Sequence, residues 1–383
     1  MKNDYRLLLL GAFNSIFVRD FIIHLKKVNP DAHIYYWGPK SQYPDRDNLN
    51  ILNFLDSSYF YEDKSFLRRR YFRYILDFYL CRKNFIKFTS SKHFDVVCIN
   101  FVQYSHSFIL DHINKCSSNL VVAPWGSDVL RVGRLEKMMQ SLVYKASDYV
   151  KGPQGKFTEI VKKQYRVPDE KLVSLHLGSS LIDYILENKK STSADLAKNK
   201  LGIENNYVIT CGYNANPAQN HLAILESINK IKDKLPKNLM LLFPFTYGSI
   251  PTYIESVKNK VCELGLNAIY FEEFLDTPKL FLLRQATDIF IHIQSSDSFS
   301  ASIREYLLCE KKVINGAWLK YSDLEEDGII PYFITKDVST LSETILKAYQ
   351  SEPLQISDKA YNTIVQMGWS VINDWNNLFV RIS

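Results

Sequence analysis

Residues 286 to 316 read ATDIFIHIQSSDSFSASIREYLLCEKKVING, and this stretch decides the fold. An apolar run from Asp288 to Gln294 stops at a loop of serine and aspartate, a helical segment follows over 302 to 310, and a second apolar run, Lys311 to Gly316, closes the unit. Strand, polar loop, short helix and strand make a βαβ crossover, whose parallel strands are buried on both faces and so read as continuous apolar runs. Working outward, the same punctuation recurs. The second half opens with YVITCGY (207–213), NLMLLFPF (238–245) and NAIYFEEF (267–274), with helical candidates at 218–235 and 251–264 between them. The first half carries RLLLLGA (6–12), AHIYYWG (32–38), FDVVCINF (94–101), NLVVAPWG (119–126), DYVKG (148–152) and LVSLHLG (172–178), each followed by a polar or amphipathic stretch.

Two successive α/β halves predict two doubly wound domains. The expected division is a first domain over 1–182, a linker over 183–206, a second domain over 207–365, and a C-terminal helix over 366–383 returning toward the first domain. The linker reading rests on DYILENKKSTSADLAKNKLGIENN, which loses its periodicity around Lys-Lys-Ser-Thr-Ser. Ligands of open α/β sheets bind beyond the carboxyl ends of the strands, so a cleft between two such sheets would receive loops from both.

Composition bounds the function. The 383 residues exceed what one core usually supports, and 46% hydrophobic with 23% charged residues exclude a disordered or fibrous chain. A net charge of +6 over this length does not by itself point to nucleic acid. The six cysteines have no paired spacing and read as reduced, mostly buried thiols of a cytoplasmic protein. No window approaches ~20 uninterrupted apolar residues, so a soluble or peripheral protein is expected. There is no G-x-x-x-x-G-K, no G-x-G-x-x-G after the first strand and no G-x-S-x-G, which disfavours kinases, dehydrogenases and α/β-hydrolases. No metal or cofactor signature is present; SDLEEDG (322–328) lacks the ligand spacing of a calcium loop and reads as a surface turn.

Four constellations remain. In PWGSDVL, Gly126 permits a sharp turn and Asp128 stands where a strand hands over to a helix, either as an N-cap or as an acceptor for substrate hydroxyls. In CGYNANPAQNHLAIL, Asn216 caps and Pro217 opens a helix whose first amides suit a phosphate; Asn214, Asn220 and His221 would add donors, or the helix is an ordinary core helix. Ser302 and Glu305 match S-x-x-E, a capping box, which leaves Asp297 and Ser298-Phe299-Ser300 without a structural account. The stretch FLRRRYFRYILDFYLCRKNFIKF (66–88) sets Arg68, Arg69, Arg70 and Arg73 among aromatics, a pattern that fits an anionic membrane surface or a solvated basic face.

Taken together these residues resemble the GT-B glycosyltransferases, especially the retaining enzymes of glycosyltransferase family 4, whose fold-back loop carries E-x(7)-E where this chain has Asp297-x(7)-Glu305. GYNANPAQNHLAIL is similar to the opening of the second half in bacterial transferases of 4-acetamido-4,6-dideoxygalactose. The resemblance implies transfer of a sugar from a nucleoside-diphosphate donor, itself the substrate, to a glycan or lipid-linked acceptor in bacterial cell-surface polysaccharide synthesis, with retention and without a metal. With the basic aromatic stretch 66–88 and the unpaired cysteines, the expectation is a cytoplasmic enzyme, peripheral at the inner face of the plasma membrane. Asp297 would contact sugar hydroxyls, Glu305 the ribose, and the backbone near Phe274 and Leu275 the base. Gly212, Asn214, Asn220, His221, Thr246, Ser298, Phe299, Ser300, Ser302 and Arg304 would complete the donor site. Asp128 would face the reaction centre, with Asn14, Trp125, Gly126 and Ser127 on the acceptor. Three positions depart from the family: Asn220 stands where a lysine is usual, Ser298 and Ser300 replace glycines, and Trp125 replaces a histidine. A nucleotide-sugar epimerase of the same fold, or a non-catalytic partner subunit, is the alternative.

Overall fold

The structure, a computed structural model, describes residues 4–11, 15–39, 51–61, 72–152, 155–248, 250–297, 300–325 and 329–383. The chain divides into two compact units, Met1–Gly178 with Trp369–Ser383, and Ser179–Gly368.

The first unit is built on a parallel sheet of β1 (Arg6–Leu10), β2 (His33–Pro39), β3 (Ser57–Tyr61), β4 (Phe94–Asn100), β5 (Ser117–Ala123), β6 (Tyr149–Lys151) and β7 (Leu172–Val173). Among the described residues the order is β3-β2-β1-β4-β5-β6-β7. β1 is central: Leu7 to Leu10 pair with Ile34 to Trp37 on one side and Val96 to Ile99 on the other. Side chains alternate across a strand, so its four leucines divide between two cores. Leu7 and Leu9 meet Phe21 and Leu25 of the helix Ile16–Val28 and Trp375 and Phe379 of the helix Ile372–Ile382. Leu8 and Leu10 meet Phe85 of the helix Phe72–Thr89 and Val143 and Tyr144 of the helix Arg134–Ala146. The C-terminal helix thus completes one core of the first unit, and the Trp375 Nε1–H donates to His176 O at 2.7 Å.

The second unit repeats the design with β8 (Tyr207–Cys211), β9 (Leu239–Phe243), β10 (Ala268–Tyr270), β11 (Ile289–His292), β12 (Lys312–Gly316) and β13 (Phe333–Thr335), in the order β10-β9-β8-β11-β12-β13. Val208 and Phe290 face one core; Ile209 and Ile291 face the other. In each sheet the strand order reverses once, between β1 and β4 and between β8 and β11, and that reversal is where an open α/β sheet offers a binding crevice.

Two sequence expectations change. The segment 183–206 carries the helix Ala194–Lys200 and most of the helix Ser180–Asn188, with Ile185 and Ala197 buried in the second unit's core that also holds Val208 and Phe290. The polar Lys-Lys-Ser-Thr-Ser is only the break between them, and the Ser193 side chain caps the second helix by accepting from Leu196 N. The strands β3 and β13 have no counterpart in the apolar runs; both are edge strands with one neighbour, as are β7 and β10, which the runs did include. The cysteines are free, five buried and Cys262 exposed.

Candidate functional site

In the second unit the crevice between β8 and β11 is shaped by backbone need before any ligand is considered. Gly212, directly after β8, has φ +65°, and a Cβ there would stand 2.9 Å from Gln219 Oε1 and 3.0 Å from His221 Nε2. The chain turns through Asn216, whose side chain accepts from Ala218 N, into the short turn Pro217–Gln219. Asn220 is left-handed at φ +60°, after which the helix His221–Asn229 begins.

This loop is strapped to the end of β11. Asn220 Nδ2 donates to Ile293 O (2.7 Å), Ser295 N to Ala218 O (2.9 Å), and Gln219 Nε2 and Tyr213 OH both to Gln294 Oε1 (3.0 Å each). Trp318 Nε1 donates to Gln294 O at 2.7 Å. Asn214 Oδ1 accepts from Asn216 N. Thr246 lies half-buried in the bend after β9, Phe274 is exposed after β10 and Leu275 is buried beside it.

Two expected donors do other work. His221 is buried in a box of Phe243, Phe245 and Tyr253, and burial lowers its pKa to about 4, so it is a neutral core imidazole. The Asn220 amide is engaged by the backbone of β11's end. Because His221 is neutral when folded and titrates near 6.5 when unfolded, the unfolded chain binds more protons between those values. Stability therefore falls as pH drops below 6.5 toward about 4. Urea unfolding at pH 6.5 and 5.5 should show this loss, and His221→Phe should reduce it; a variant with the parent's full slope would refute the assignment.

On the other wall, Tyr321 OH donates to Asp297 Oδ2 at 2.7 Å, and Tyr213 stacks on His292 with centroids 5.9 Å apart. His292 is fixed by a 3.0 Å contact between Nδ1 and Asn315 Oδ1, and burial lowers its pKa. The helix Ala301–Leu308 begins two residues earlier than the S-x-x-E motif suggests. Ser300 is its N-cap, its Oγ accepting from Ile303 N at 3.4 Å, so Ser302 and Glu305 form no capping box. Instead Glu305 Oε2 accepts from Arg284 Nε (3.1 Å) and Nη2 (3.0 Å), and Arg284 also donates to Ser302 Oγ (3.5 Å) and Tyr306 OH (3.2 Å). Among the described residues Glu305 Oε1 takes no hydrogen bond. Arg304 is turned into the unit: Nε donates to Ser300 O at 3.3 Å and Nη1 meets Met367 Sδ, and burial lowers its pKa to about 10. Ser298 and Phe299 lie outside the described residues.

Sequence reasoning missed Arg284 and Tyr321. Arg284 had a signal, a lone cation in the apolar run LFLLRQA; Tyr321 had none, since it reaches Asp297 from a turn 24 residues away.

In the first unit, Asp128 is buried, with Oδ1 accepting from Trp125 N (2.9 Å) and Gly126 N (2.7 Å) and Oδ2 from Val102 N (2.8 Å). Burial pushes its pKa up and the three amides pull it back. The carboxylate ties the turn after β5 to the loop after β4, which is a structural use, and it caps nothing: the short helix Ser127–Leu130 has Gly126, at φ +139°, in the N-cap position. Ser127 is exposed. Trp125 meets Phe17 and Phe101 edge-on at 5.6 and 5.7 Å. Phe101 is itself left-handed, at φ +69°, a strained backbone for an aromatic residue and one that clusters at functional sites. A hollow at the β1/β4 reversal is lined by Gly11, Trp37, Tyr61, Phe101, Gln103 and His106. Asn14, Arg68, Arg69 and Arg70 lie outside the described residues, as does the Arg73 side chain. Among the described residues no cluster of His, Cys, Asp or Glu could hold a metal ion, and no helix is long and apolar enough to cross a membrane.

No protein-family model matches the sequence, and no curated protein is similar to it. Solved structures are. HepE of Anabaena, in complex with UDP and glucose, has a TM-score of 0.70 at 14% identity, over 98% of this chain and 99% of that one. A glycosyltransferase from Rickettsia africae has a TM-score of 0.69 at 15% identity, over 100% and 99%. The α,α-trehalose 6-phosphate synthase of Burkholderia multivorans has a TM-score of 0.70 at 9% identity, over 99% and 98%. Identities this low speak for architecture alone, and the architecture is the GT-B fold of two parallel-sheet α/β units.

Proposed function

We propose that the chain is a glycosyltransferase that moves a sugar from a nucleoside-diphosphate donor to a glycan or lipid-linked acceptor, with retention, in the making of a bacterial cell-surface polysaccharide. The observation that carries the reading is the segment after β11, at the reversal of the second sheet, where Tyr321 holds Asp297 and where Glu305 Oε1, among the described residues, takes no hydrogen bond. A shared fold with HepE, solved with UDP and glucose, supports it. On this reading Glu305 Oε1 accepts from the ribose and Asp297 from the sugar. As the glycosidic bond breaks, charge grows on the leaving diphosphate, and the first amides of the helix Ala301–Leu308 are the donors it meets, with no metal called for.

Tyr321→Phe removes the hydroxyl that orients Asp297. The expected result is about tenfold weaker binding of a nucleotide sugar, with binding of the bare nucleoside diphosphate unchanged, since a hydrogen bond to a charged group is worth about 1.5 kcal/mol or more. Calorimetric titration with UDP-glucose and UDP checks it. A chain that binds no nucleoside diphosphate or its sugar at all would sink the function itself.

One observation favours a second reading, a non-catalytic partner subunit. The loop that follows β8 has an amide already bonded at Asn220 and a neutral His221, where the resembled family has cations for the diphosphate. Turnover by the purified chain alone eliminates that reading.

A further inference from the structure

The helix Arg134–Ala146 buries Gln140, Val143 and Tyr144 and turns its other side outward. There Leu135, Met138 and Leu142 are 47%, 62% and 54% exposed. Steps of three, four and seven residues put them on one stripe, an arrangement that scattered exposed leucines do not produce. Exposed Arg134 and Lys145 flank the stripe, while Glu136, the one acidic residue of the helix, folds back toward Gly133 N at 3.4 Å. The helix Phe72–Thr89 repeats the pattern, with Ile75, Phe78 and Tyr79 exposed and Lys83 Nζ 5.8 Å from the Tyr79 ring centre. Both helices pack on the turn Tyr104–Ile109 and share one core, so their outward faces belong to one layer of the first unit. Phe78 meets Phe108 of that turn at 5.3 Å.

We propose that this layer docks on an anionic lipid surface, Leu135, Met138 and Leu142 entering the headgroup region and Arg134 and Lys145 meeting lipid phosphates. Charge selects this occupant over a second copy, because two copies joined through this face would bring like charges together. The position has a consequence for the site. Gln140 Nε2 donates to Asp128 O and to Val102 O, each at 2.8 Å, so the helix is tied to the turn that carries Gly126 and Ser127. Docking would hold those residues near the bilayer, which suits a lipid-linked acceptor; that last step rests on the proposed function, and the docking does not.

The test sediments the full chain with vesicles of phosphatidylcholine, with and without phosphatidylglycerol. The chain is expected to pellet only with the anionic vesicles, less so at high salt. The triple variant Leu135→Ser, Met138→Ser, Leu142→Ser and the double variant Arg134→Glu, Lys145→Glu should each partition at least about tenfold more weakly, about 1.4 kcal/mol, while keeping their circular dichroism and nucleotide binding. A parent chain that stays in solution, or variants that sediment like it, would overturn the proposal. So would a dimer in solution that the triple variant dissolves, because a second copy then covers the face. Sedimentation intact in a chain that binds no nucleotide would sink the proposed function and leave the docking standing.

Discussion

Glu305→Ala lowers the stability of the second unit by about 3–5 kcal/mol, because it strands the buried Arg284 guanidinium without a counter-charge. The side chains of the pair are 5% and 7% exposed, and both arginine nitrogens converge on a single carboxylate oxygen. Removing the pair together is a different matter. Arg284→Met with Glu305→Leu should return to within about 1–2 kcal/mol of the parent, since a packed apolar pair replaces an ion pair at little cost. Urea unfolding of the two variants measures the contrast. If Glu305→Ala unfolds like the parent while losing nucleotide affinity, the residue serves a ligand alone and the structural account fails.

A chain ending at Gly368 should lose the first unit and keep the second. The missing segment removes Trp369, Ile372, Trp375, Leu378 and Phe379 from the core that also holds Leu7, Leu9 and Phe21. Trp375 alone meets Phe21 at 5.2 Å and Phe379 at 5.8 Å, and Trp375→Ala is expected to cost about 3–5 kcal/mol. Limited proteolysis reads the outcome: the truncated chain should be cut throughout 1–178 while a fragment near 179–368 resists. Parent-like resistance of the N-terminal half would show that the helix is ornamental there.

The parallel sheets were legible because a strand covered on both faces must be largely apolar, as Leu7 to Leu10 and Ile289 to Ile291 are. Edge strands have no such obligation, and SSYFY (57–61), partly buried at every position, passed unread. The helices at 180–200 were hidden by polar outer faces around a few buried residues, Ile182, Ile185 and Ala197. At the proposed site, the sequence pointed to the loops after β8 and β11, but the partner of each side chain was not legible in it. Whether Glu305 caps a helix or answers an arginine depends on a side chain 21 positions away, and no local pattern carries that information.

The chain leaves the first unit at Gly178 and re-enters it at Trp369, and the two crossings are packed together: a Cβ on Gly178 would stand 2.5 Å from the Trp369 ring, and Ser179 N donates to Met367 O at 3.0 Å. On a ribosome this reverses the order of assembly. The half made first has its sheet waiting with one hydrophobic face bare, the half made second can close on its own, and only the emergence of Trp369–Ser383 lets the earlier half finish. Nascent chains stalled just short of that segment should be caught by chaperones through their amino-terminal portion.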